Sequence, residues 1–279
     1  MYSWGNRSRS IFANTSACLA FIWFLVCMLP PTAQSEWYAG GYGGYSAAQP
    51  LTNVKMDQLG ERLDTSYFQG GLSNPKLGTY TQTLSTSDAN LKQSPMYGGK
   101  AGYFFNDEGA PWLGVEVEAF TSQPTIRNQT VKTIHDITYI PFSPNGNPPP
   151  PAAPPNCTLG VDCQLQRTFT GTTSLPEASM RLYTVAVNVV ARYPGTIFQP
   201  YVGVGAGAFY FTSSGPISGR QIVPGLNAMV GLKVLATEEW GLFLEGKYNR
   251  ATLTNFDPNY GLSGEYSAFN FVAGVAYHF

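Results

Sequence analysis

The sequence is poor in charged residues and in histidine. Charged residues make up only 12% of its 279 residues, the formal net charge is −1, and there are 2 histidines. No basic run supplies the phosphate contacts that nucleic acids require, so a nucleic-acid partner is not expected. No HExxH, P-loop or paired CxxC pattern occurs, and we therefore expect neither a metal nor another cofactor.

Long apolar runs are also missing, apart from one near the N-terminus. Arg7 and Arg9 precede an apolar run over residues 17–29, which is shorter than the roughly 20 residues of a spanning helix. The small residues Ala33 and Ser35 follow this run, where a signal peptidase would cut. This order is typical of a secretory signal peptide rather than a retained membrane anchor, and it predicts cleavage after Ser35 and a single mature domain, residues 36–279.

Cysteine is scarce as well. Two of the 4 cysteines lie in the N-terminal segment, so the mature chain keeps only Cys157 and Cys163. Two cysteines in an exported protein predict a disulfide, and the short loop between them corresponds to about 2 kcal/mol of stabilisation. A metal site is disfavoured because no histidine or further cysteine is nearby.

Glycine and aromatic residues are abundant, and apolar residues alternate with smaller, more polar ones at the end of the chain. From Ser267 to Phe279, every second residue is apolar, and the residues between them are smaller and more polar. Because a strand directs alternate side chains to opposite faces, one face suits hydrocarbon and the other suits a crowded interior. A closed membrane barrel leaves no edge of such a strand unpaired.

Eight segments with this alternation follow one another in the mature chain. They cover residues 37–45, 96–105, 112–121, 179–193, 198–213, 222–236, 240–252 and 267–279. The connections alternate in length, and the longest, about 49–94 and 122–177, are expected as loops. We predict an all-β fold: a closed antiparallel transmembrane β-barrel of about eight strands, with long extracellular loops and short periplasmic turns.

Seven charged residues within the predicted strands fall in the rows opposite the apolar ones. These residues are Lys100, Glu116, Glu118, Arg192, Lys233, Glu245 and Lys247. In a soluble sandwich they would face water, whereas in a membrane barrel they would line the lumen. An unpaired buried charge is costly, so we expect a lumen charge network that includes the pairs Lys100–Glu116 and Lys233–Glu245.

Short motifs in these strands resemble the OmpA-like family of small, eight-stranded outer-membrane barrels. The motifs are Trp37-Tyr38, Gly102-Tyr103-Phe104, Leu113–Glu118, Pro200–Gly207, Gly231–Lys233, Leu244-Glu245 and the final Tyr277-His278-Phe279. The resemblance implies location in the cell outer membrane, contact with its bilayer and lipopolysaccharide, and a monomeric state. It also implies that Tyr277 and Phe279 on the last strand form a signal for the barrel assembly machinery.

The sequence offers little for catalysis. His135 is expected in a solvated loop, and His278 at the periplasmic rim. We therefore expect a non-catalytic protein with a structural or surface-interaction role, such as envelope integrity, adhesion or recognition through its long loops, whose extracellular partner the sequence does not identify. The alternatives are an outer-membrane lipid-modifying enzyme and a narrow small-solute channel; an eight-stranded barrel has a filled interior, which disfavours the channel.

Overall fold

The structure is a computed structural model that describes residues 36–67, 77–106, 109–141 and 165–279. The predicted signal peptide, Cys157 and Cys163 lie outside these residues. The described elements, in chain order, are β1 (Glu36–Ala48), β2 (Thr52–Met56), α1 (Asp57–Tyr67), β3 (Leu77–Thr86), β4 (Leu91–Lys92), β5 (Ser94–Phe105), β6 (Ala110–Ser122), β7 (Thr125–Ile126), β8 (Gln129–Pro141), β9 (Leu165–Leu175), β10 (Ala178–Arg192), β11 (Phe198–Ser214), β12 (Gly219–Leu235), β13 (Trp240–Leu253) and β14 (Leu262–His278).

Eight of these strands form a closed antiparallel barrel. Their order around the wall is β1-β5-β6-β10-β11-β12-β13-β14, and β14 returns to pair with β1. This closing seam runs from Tyr38 opposite His278 to Ala48 opposite Ala268. Closure pairs both edges of the apolar last strand, as the membrane-barrel prediction requires. The predicted fold class is confirmed.

The barrel wall is apolar outside and densely packed inside. On β10, Val185, Val187 and Val189 are 55%, 57% and 50% exposed. Thr184 and Asn188, on the opposite face of the same strand, are at most 1% exposed. The other barrel strands alternate in the same sense. The exposed row would be unfavourable in water, and it fits the hydrocarbon that surrounds a membrane barrel.

Aromatic side chains mark the two ends of this apolar band. At the end that carries the chain termini, Trp240 contacts Tyr277 with ring centroids 5.0 Å apart. At the other end, Tyr248 contacts Phe269, also at 5.0 Å. The eight residue-to-residue steps from 240 to 248 span about 27 Å along the strand at about 3.4 Å per residue. That distance suits a tilted strand crossing an apolar band about 25 Å tall between two aromatic girdles.

The short turns lie at the end of the barrel where β1 begins and β14 ends. One of them is closed by a hydrogen bond from the Ala236 amide to the Trp240 carbonyl, at 2.8 Å. Another is closed by the Tyr193 amide, which donates to the Pro200 carbonyl at 2.9 Å. Gly109, in the turn after β5, has a φ of 76°, which glycine adopts without strain. Short turns on this side identify it as periplasmic, and the long connections are extracellular.

The two long connections contain regular structure that the sequence did not predict. Within residues 49–94 lie β2, α1, β3 and β4, and within residues 122–177 lie β7, β8 and β9. β2 pairs with the first residues of β14, and the sheet continues through β3 and β8 to β9. We call β2, β3, β8 and β9 the extracellular sheet. Their serine and threonine content conceals the alternation of apolar residues that predicts a strand.

Apolar side chains close the extracellular mouth of the barrel beneath this sheet. Leu84 from β3, Met96 from β5 and Ile126 from β7 are at most 1% exposed. Phe211 and Tyr266 from the barrel wall meet edge to face, with ring centroids 5.3 Å apart. Each such side chain contributes about 1.5–3 kcal/mol when it is removed from water. The extracellular sheet is therefore packed onto the barrel.

The helix α1 lies beside β3 in this extracellular region. Asp57 in its first turn is placed where a negative charge is favoured by the helix dipole. A Cβ atom on Gly60 would lie 2.3 Å from the side-chain oxygen of Gln82, so the helix packs closely on β3 at that glycine. Within the described ranges, no helix has both the length and the apolar character needed to cross a membrane.

Candidate functional site in the barrel interior

Lys100 on β5 joins two carboxylates in the middle of the lumen. Its Nζ lies 2.5 Å from Glu245 Oε2 on β13 and 3.2 Å from Glu116 Oε2 on β6. Only 3% of the Lys100 side chain is exposed, and the two carboxylates are more deeply buried still. The contact with Glu245 crosses the lumen, because β5 and β13 are separated by β1 and β14 in the wall.

Lys247 on β13 makes a second bridge. Its Nζ pairs with Glu118 on β6 and lies 2.8 Å from Glu245 Oε1. Neither Lys247 nor Glu118 has any exposed side-chain surface. Glu245 therefore receives both lysines, and the four contacts connect β5, β6 and β13 through the interior.

Tyrosine hydroxyls complete the shell of each carboxylate. Tyr38 donates to Glu116 at 2.7 Å, Tyr201 donates to Glu245 at 2.6 Å, and Tyr42 donates to Glu118. Each carboxylate thus accepts hydrogen bonds from a tyrosine as well as from an ammonium group. Hydrogen bonds to ionised groups in a dry site offset much of the cost of removing the charges from water.

A row of asparagines extends the network along the wall. Asn270 donates to Asn249 at 2.6 Å, Asn249 to Asn227 at 2.9 Å, and Asn227 to Asn188 at 2.9 Å. Asn188 then donates to Glu116 at 3.2 Å. Asn249, Asn227 and Asn188 each both accept and donate, and the row ends on the carboxylate of Glu116.

Gly205 on β11 makes the asparagine row possible. It lies in register with Asn188 on one side and with Asn227 on the other. A Cβ atom at this position would come within 2.1 Å of Asn188 Oδ1 and 2.3 Å of the Val187 carbonyl oxygen. The amides of β10 and β12 can therefore meet across β11 only because residue 205 has no side chain.

Arg192 and Lys233 lie in the periplasmic half of the lumen. Arg192 Nε donates to the Pro111 carbonyl at 3.0 Å, and its guanidinium carbon lies 3.8 Å from the centre of the Phe104 ring. Lys233 Nζ lies 4.4 Å from the centre of the Tyr38 ring and 3.3 Å from His278 Nε2. Aromatic faces thus accompany both cations at this end.

The structure brings the sequence-predicted charges together, keeps the predicted Lys100–Glu116 pair and adds partners that were not predicted. The β5–β6 ladder sets Lys100 opposite Glu118 rather than Glu116, because the register shifts between Phe104 and Phe105. Lys100 still reaches Glu116 diagonally. Lys233 is opposite Phe243, and its predicted partner Glu245 is occupied by Lys100, Lys247 and Tyr201. The ion pairs Lys100–Glu245 and Lys247–Glu118 cross the lumen, so they cannot be predicted by pairing neighbouring strands.

The space around Lys100 is nearly filled by side chains. A cavity of about 10 Å³ lies among Tyr38, Lys100, Glu116, Arg192 and Lys233. This is about the minimum for the centre of one water molecule. This part of the lumen is therefore a packed polar core. Among the described residues, no group of three or more His, Cys, Asp or Glu side chains could hold a metal ion.

His135 differs from its expected setting, whereas His278 lies at the periplasmic end as expected. His135 was expected in a solvated loop, but it lies on β8, is 1% exposed and has its Nε2 atom 3.1 Å from Gln82 Oε1. That expectation was wrong because the strand itself was not predicted. Burial lowers the pKa of His135, and the nearby carboxylate of Asp136 partly opposes this shift. His278 lies at the periplasmic end but faces the lumen beside Lys233.

Tyr277 and Phe279 have different surroundings. Tyr277 packs against Trp240 in the periplasmic girdle. Phe279 is 45% exposed. Their role as an assembly signal stays a prediction.

Comparison with known proteins agrees with this architecture. Residues 153–279 match the family model for the outer membrane protein beta-barrel domain. This match covers the second half of the barrel, from β10 to β14, and slightly less than half of the chain. The C-terminal part of the chain is thus similar to the outer membrane protein beta-barrel domain family, and the fold is a closed β-barrel of the outer-membrane type. The location of the protein is the outer membrane. No curated protein sequence matches the chain.

Several solved barrels are similar to the chain at low identity. Neisserial surface protein A is 12% identical, with 87% of this chain and 97% of that chain covered and a TM-score of 0.40. OprG from Pseudomonas aeruginosa is 14% identical, with coverages of 87% and 95% and a TM-score of 0.39. Ail, the attachment invasion locus protein of Yersinia pestis, is 12% identical, with coverages of 87% and 99% and a TM-score of 0.38. At these TM-scores the likeness carries no argument about role.

Proposed function

We propose that this outer-membrane barrel is a non-catalytic surface protein that presents its extracellular sheet for recognition or adhesion. The observation that carries the proposal is the construction of this sheet. β2 extends the ladder of β14, and β3, β8 and β9 follow it outward. The recognition surface is thus a continuation of the barrel wall, which positions it more rigidly than a free loop would be.

The outer strand of the sheet has the character of a binding surface. β9 pairs with β8 over eleven positions, from Gln129 opposite Leu175 to Tyr139 opposite Leu165. Its exposed side chains are mainly threonines, and Thr168 donates to Asp136 at 2.6 Å. Hydroxyl groups on an ordered strand offer many hydrogen bonds to a protein or glycan partner without a large apolar patch.

Excision of the β8–β9 hairpin tests this role. Since Gln129 and Leu175 are directly opposite, residues 130–174 can be replaced by an Asn-Gly turn that closes the hairpin at its base. Cells displaying the wild-type or the excised barrel are compared for adhesion to immobilised extracellular-matrix proteins and glycosaminoglycans. We expect adhesion to at least one surface to be lost on excision.

The matched control for excision is a triple Thr→Ser change at positions 168, 170 and 172, which keeps the hairpin and its hydroxyl groups. This variant should adhere as the wild type does. Both variants must keep the shift in gel mobility between unheated and boiled samples that reports a folded barrel. Unchanged adhesion by a folded, excised barrel, or no adhesion by the wild type on any surface, would contradict a recognition role for the sheet.

The packed interior supports a role without conduction. Lys100, Lys247 and the three carboxylates fill the middle of the lumen, and apolar side chains close its extracellular mouth. We expect liposomes containing the barrel to swell in sugar solutions no faster than empty liposomes. Rapid swelling would favour the channel alternative. The enzyme alternative predicts a change in the mass of lipid A when the protein is expressed, and we expect none.

We also propose that the chain is exported with a signal peptide cleaved after Ser35. Glu36, the residue after the predicted cleavage site, pairs with Phe104 of β5 in the barrel wall. A mature chain that starts there would enter the barrel wall at its first residue. The proposal includes contact of the last strand with the barrel assembly machinery and of the outer wall with lipopolysaccharide.

A further inference from the structure

The apolar outer wall of the barrel has a hollow in its surface. It lies on β12, β13 and β14, holds about 350 Å³, and is lined on the outer face by Ala228, Val230, Gly246, Tyr248, Phe269 and Phe271. Val230 and Phe271 are 60% and 65% exposed, so both side chains stand out from the wall on either side of Gly246. The lining is almost wholly apolar.

Gly246 forms the floor of the hollow, and neither close packing nor a turn requires glycine at this position. Gly246 continues the ladder without interruption, opposite Val230 on one strand and Phe271 on the other. A Cβ atom at Gly246 would come no closer than 3.9 Å to its nearest neighbour, so packing does not exclude a larger residue. Glycine in a strand interior is unfavourable, and it often marks a place where a ligand approaches the backbone.

A second hollow continues the first toward the cell exterior. It holds about 470 Å³ and is lined by Gln49, Pro50, Thr52, Asp88 and Ser267, together with Tyr248 and Phe269. The two hollows share Tyr248 and Phe269, whose rings form part of the extracellular girdle. A groove therefore runs from a polar site above the girdle to an apolar site within the hydrocarbon band.

We propose that this groove binds one phospholipid of the surrounding membrane, with an acyl chain over Gly246 and its polar head group beside Asp88. The apolar part faces the bilayer at the depth of the acyl chains, which makes a lipid the continuous neighbour of this surface. The upper part presents a carboxylate, an amide and two hydroxyls and has no cationic side chain in its lining. A head group with N–H or O–H donors fits this lining better than a bare phosphate.

The test measures lipid retained by the purified barrel. Wild-type protein is incubated in detergent with phosphatidylethanolamine, passed through a desalting step, and analysed by mass spectrometry under conditions that preserve non-covalent complexes. We expect one bound lipid per barrel. Gly246→Leu fills the groove from its floor, and Val230→Trp fills it from one side. Each should reduce the bound fraction at least fivefold.

Gly41→Leu is the matched control. Gly41 lies on the outer face of β1, outside the lining of both hollows, and a Cβ atom there would meet nothing within 4 Å. This variant should retain lipid as the wild type does. Equal retention by the wild type and both groove variants would overturn the proposal, as would an equal loss in Gly41→Leu. Loss of a dimeric species instead of a lipid would assign the groove to a second copy of the chain.

A comparison of two phospholipids tests where the head group lies. Phosphatidylcholine carries no N–H or O–H donor on its head group, so the wild type should retain it less than phosphatidylethanolamine. Asp88→Ala removes the carboxylate acceptor at the upper end of the groove and should abolish this preference while the acyl-chain site remains. Equal retention of the two lipids by the wild type would contradict the placement of the head group beside Asp88.

Discussion

Replacement of Glu245 by glutamine removes the carboxylate that joins the two buried lysines. Glu245 accepts hydrogen bonds from Lys100 at 2.5 Å and from Tyr201 at 2.6 Å, and Lys247 Nζ lies 2.8 Å from its Oε1 atom. The Glu245 side chain has no exposed surface. Glutamine keeps the shape but leaves Lys100 and Lys247 with one fewer counter-charge in a dry lumen. Breaking a buried ion pair from one side costs about 3–5 kcal/mol.

The surface pair Arg250–Glu265 is the natural control. Its N–O distance is also 2.5 Å, but its side chains are 52% and 29% exposed. Solvent screens such a pair, and the same Glu→Gln change should leave stability nearly unaltered. The comparison therefore varies burial while it keeps the substitution and the ion-pair distance the same.

The measurement is equilibrium unfolding in urea of barrels refolded into phospholipid vesicles, followed by tryptophan fluorescence. We expect Glu245→Gln to lower the free energy of unfolding by about 3–5 kcal/mol, and Glu265→Gln to leave the midpoint in place. The double variant Lys100→Met/Glu245→Gln should recover part of the loss, because it also removes a buried charge. Equal midpoints for the wild type and Glu245→Gln would refute the reasoning about the interior network.

Four further predictions follow from individual residues. Gly205→Val should destabilise the barrel by more than about 1–3 kcal/mol, since it combines overpacking with a broken amide row, and urea midpoints will measure this. Burial lowers the pKa of His135, so the stability of the β3–β8 pairing should fall as the pH drops below about 6.5. Protection factors of the β8 amides, which correct for the slower intrinsic exchange in acid, should fall at pH 5 in the wild type but not in His135→Leu. The mass of the mature protein should correspond to a chain beginning at Glu36; a mass that includes residues before Ser35 would contradict cleavage there. Phe279→Ala should lower the amount of barrel assembled in cells without lowering the urea midpoint of refolded protein, and normal assembly would exclude its role as a signal.

The barrel strands and their two faces could be predicted from the sequence because each strand alternates with a period of two. Strand ends agree with the structure to within about three residues for most strands, although the last strand begins at Leu262 rather than Ser267. The seven lumen charges were identified by the same alternation. The barrel wall, its lipid-facing surface and the charged residues of its interior could therefore be predicted from the sequence.

The partners within the lumen could not be predicted in the same way. The pair Lys100–Glu245 exists because closure brings β5 and β13 to opposite walls, and the shift at Phe104–Phe105 changes which residues face each other on β5 and β6. The extracellular strands were missed because threonine and serine occupy many of their positions. The burial of His135 was missed with them.

The central claim is that the apolar face of the wall contacts lipid while the charged face is sealed inside. A spin label at Val187, in a Cys157→Ser/Cys163→Ser background, tests it most directly when compared with a label at Thr170 on the extracellular sheet. In vesicles, the Val187 label should collide more with dissolved oxygen than with an aqueous nickel chelate, and the Thr170 label should show the reverse. Equal access of the nickel chelate to both positions would contradict the account.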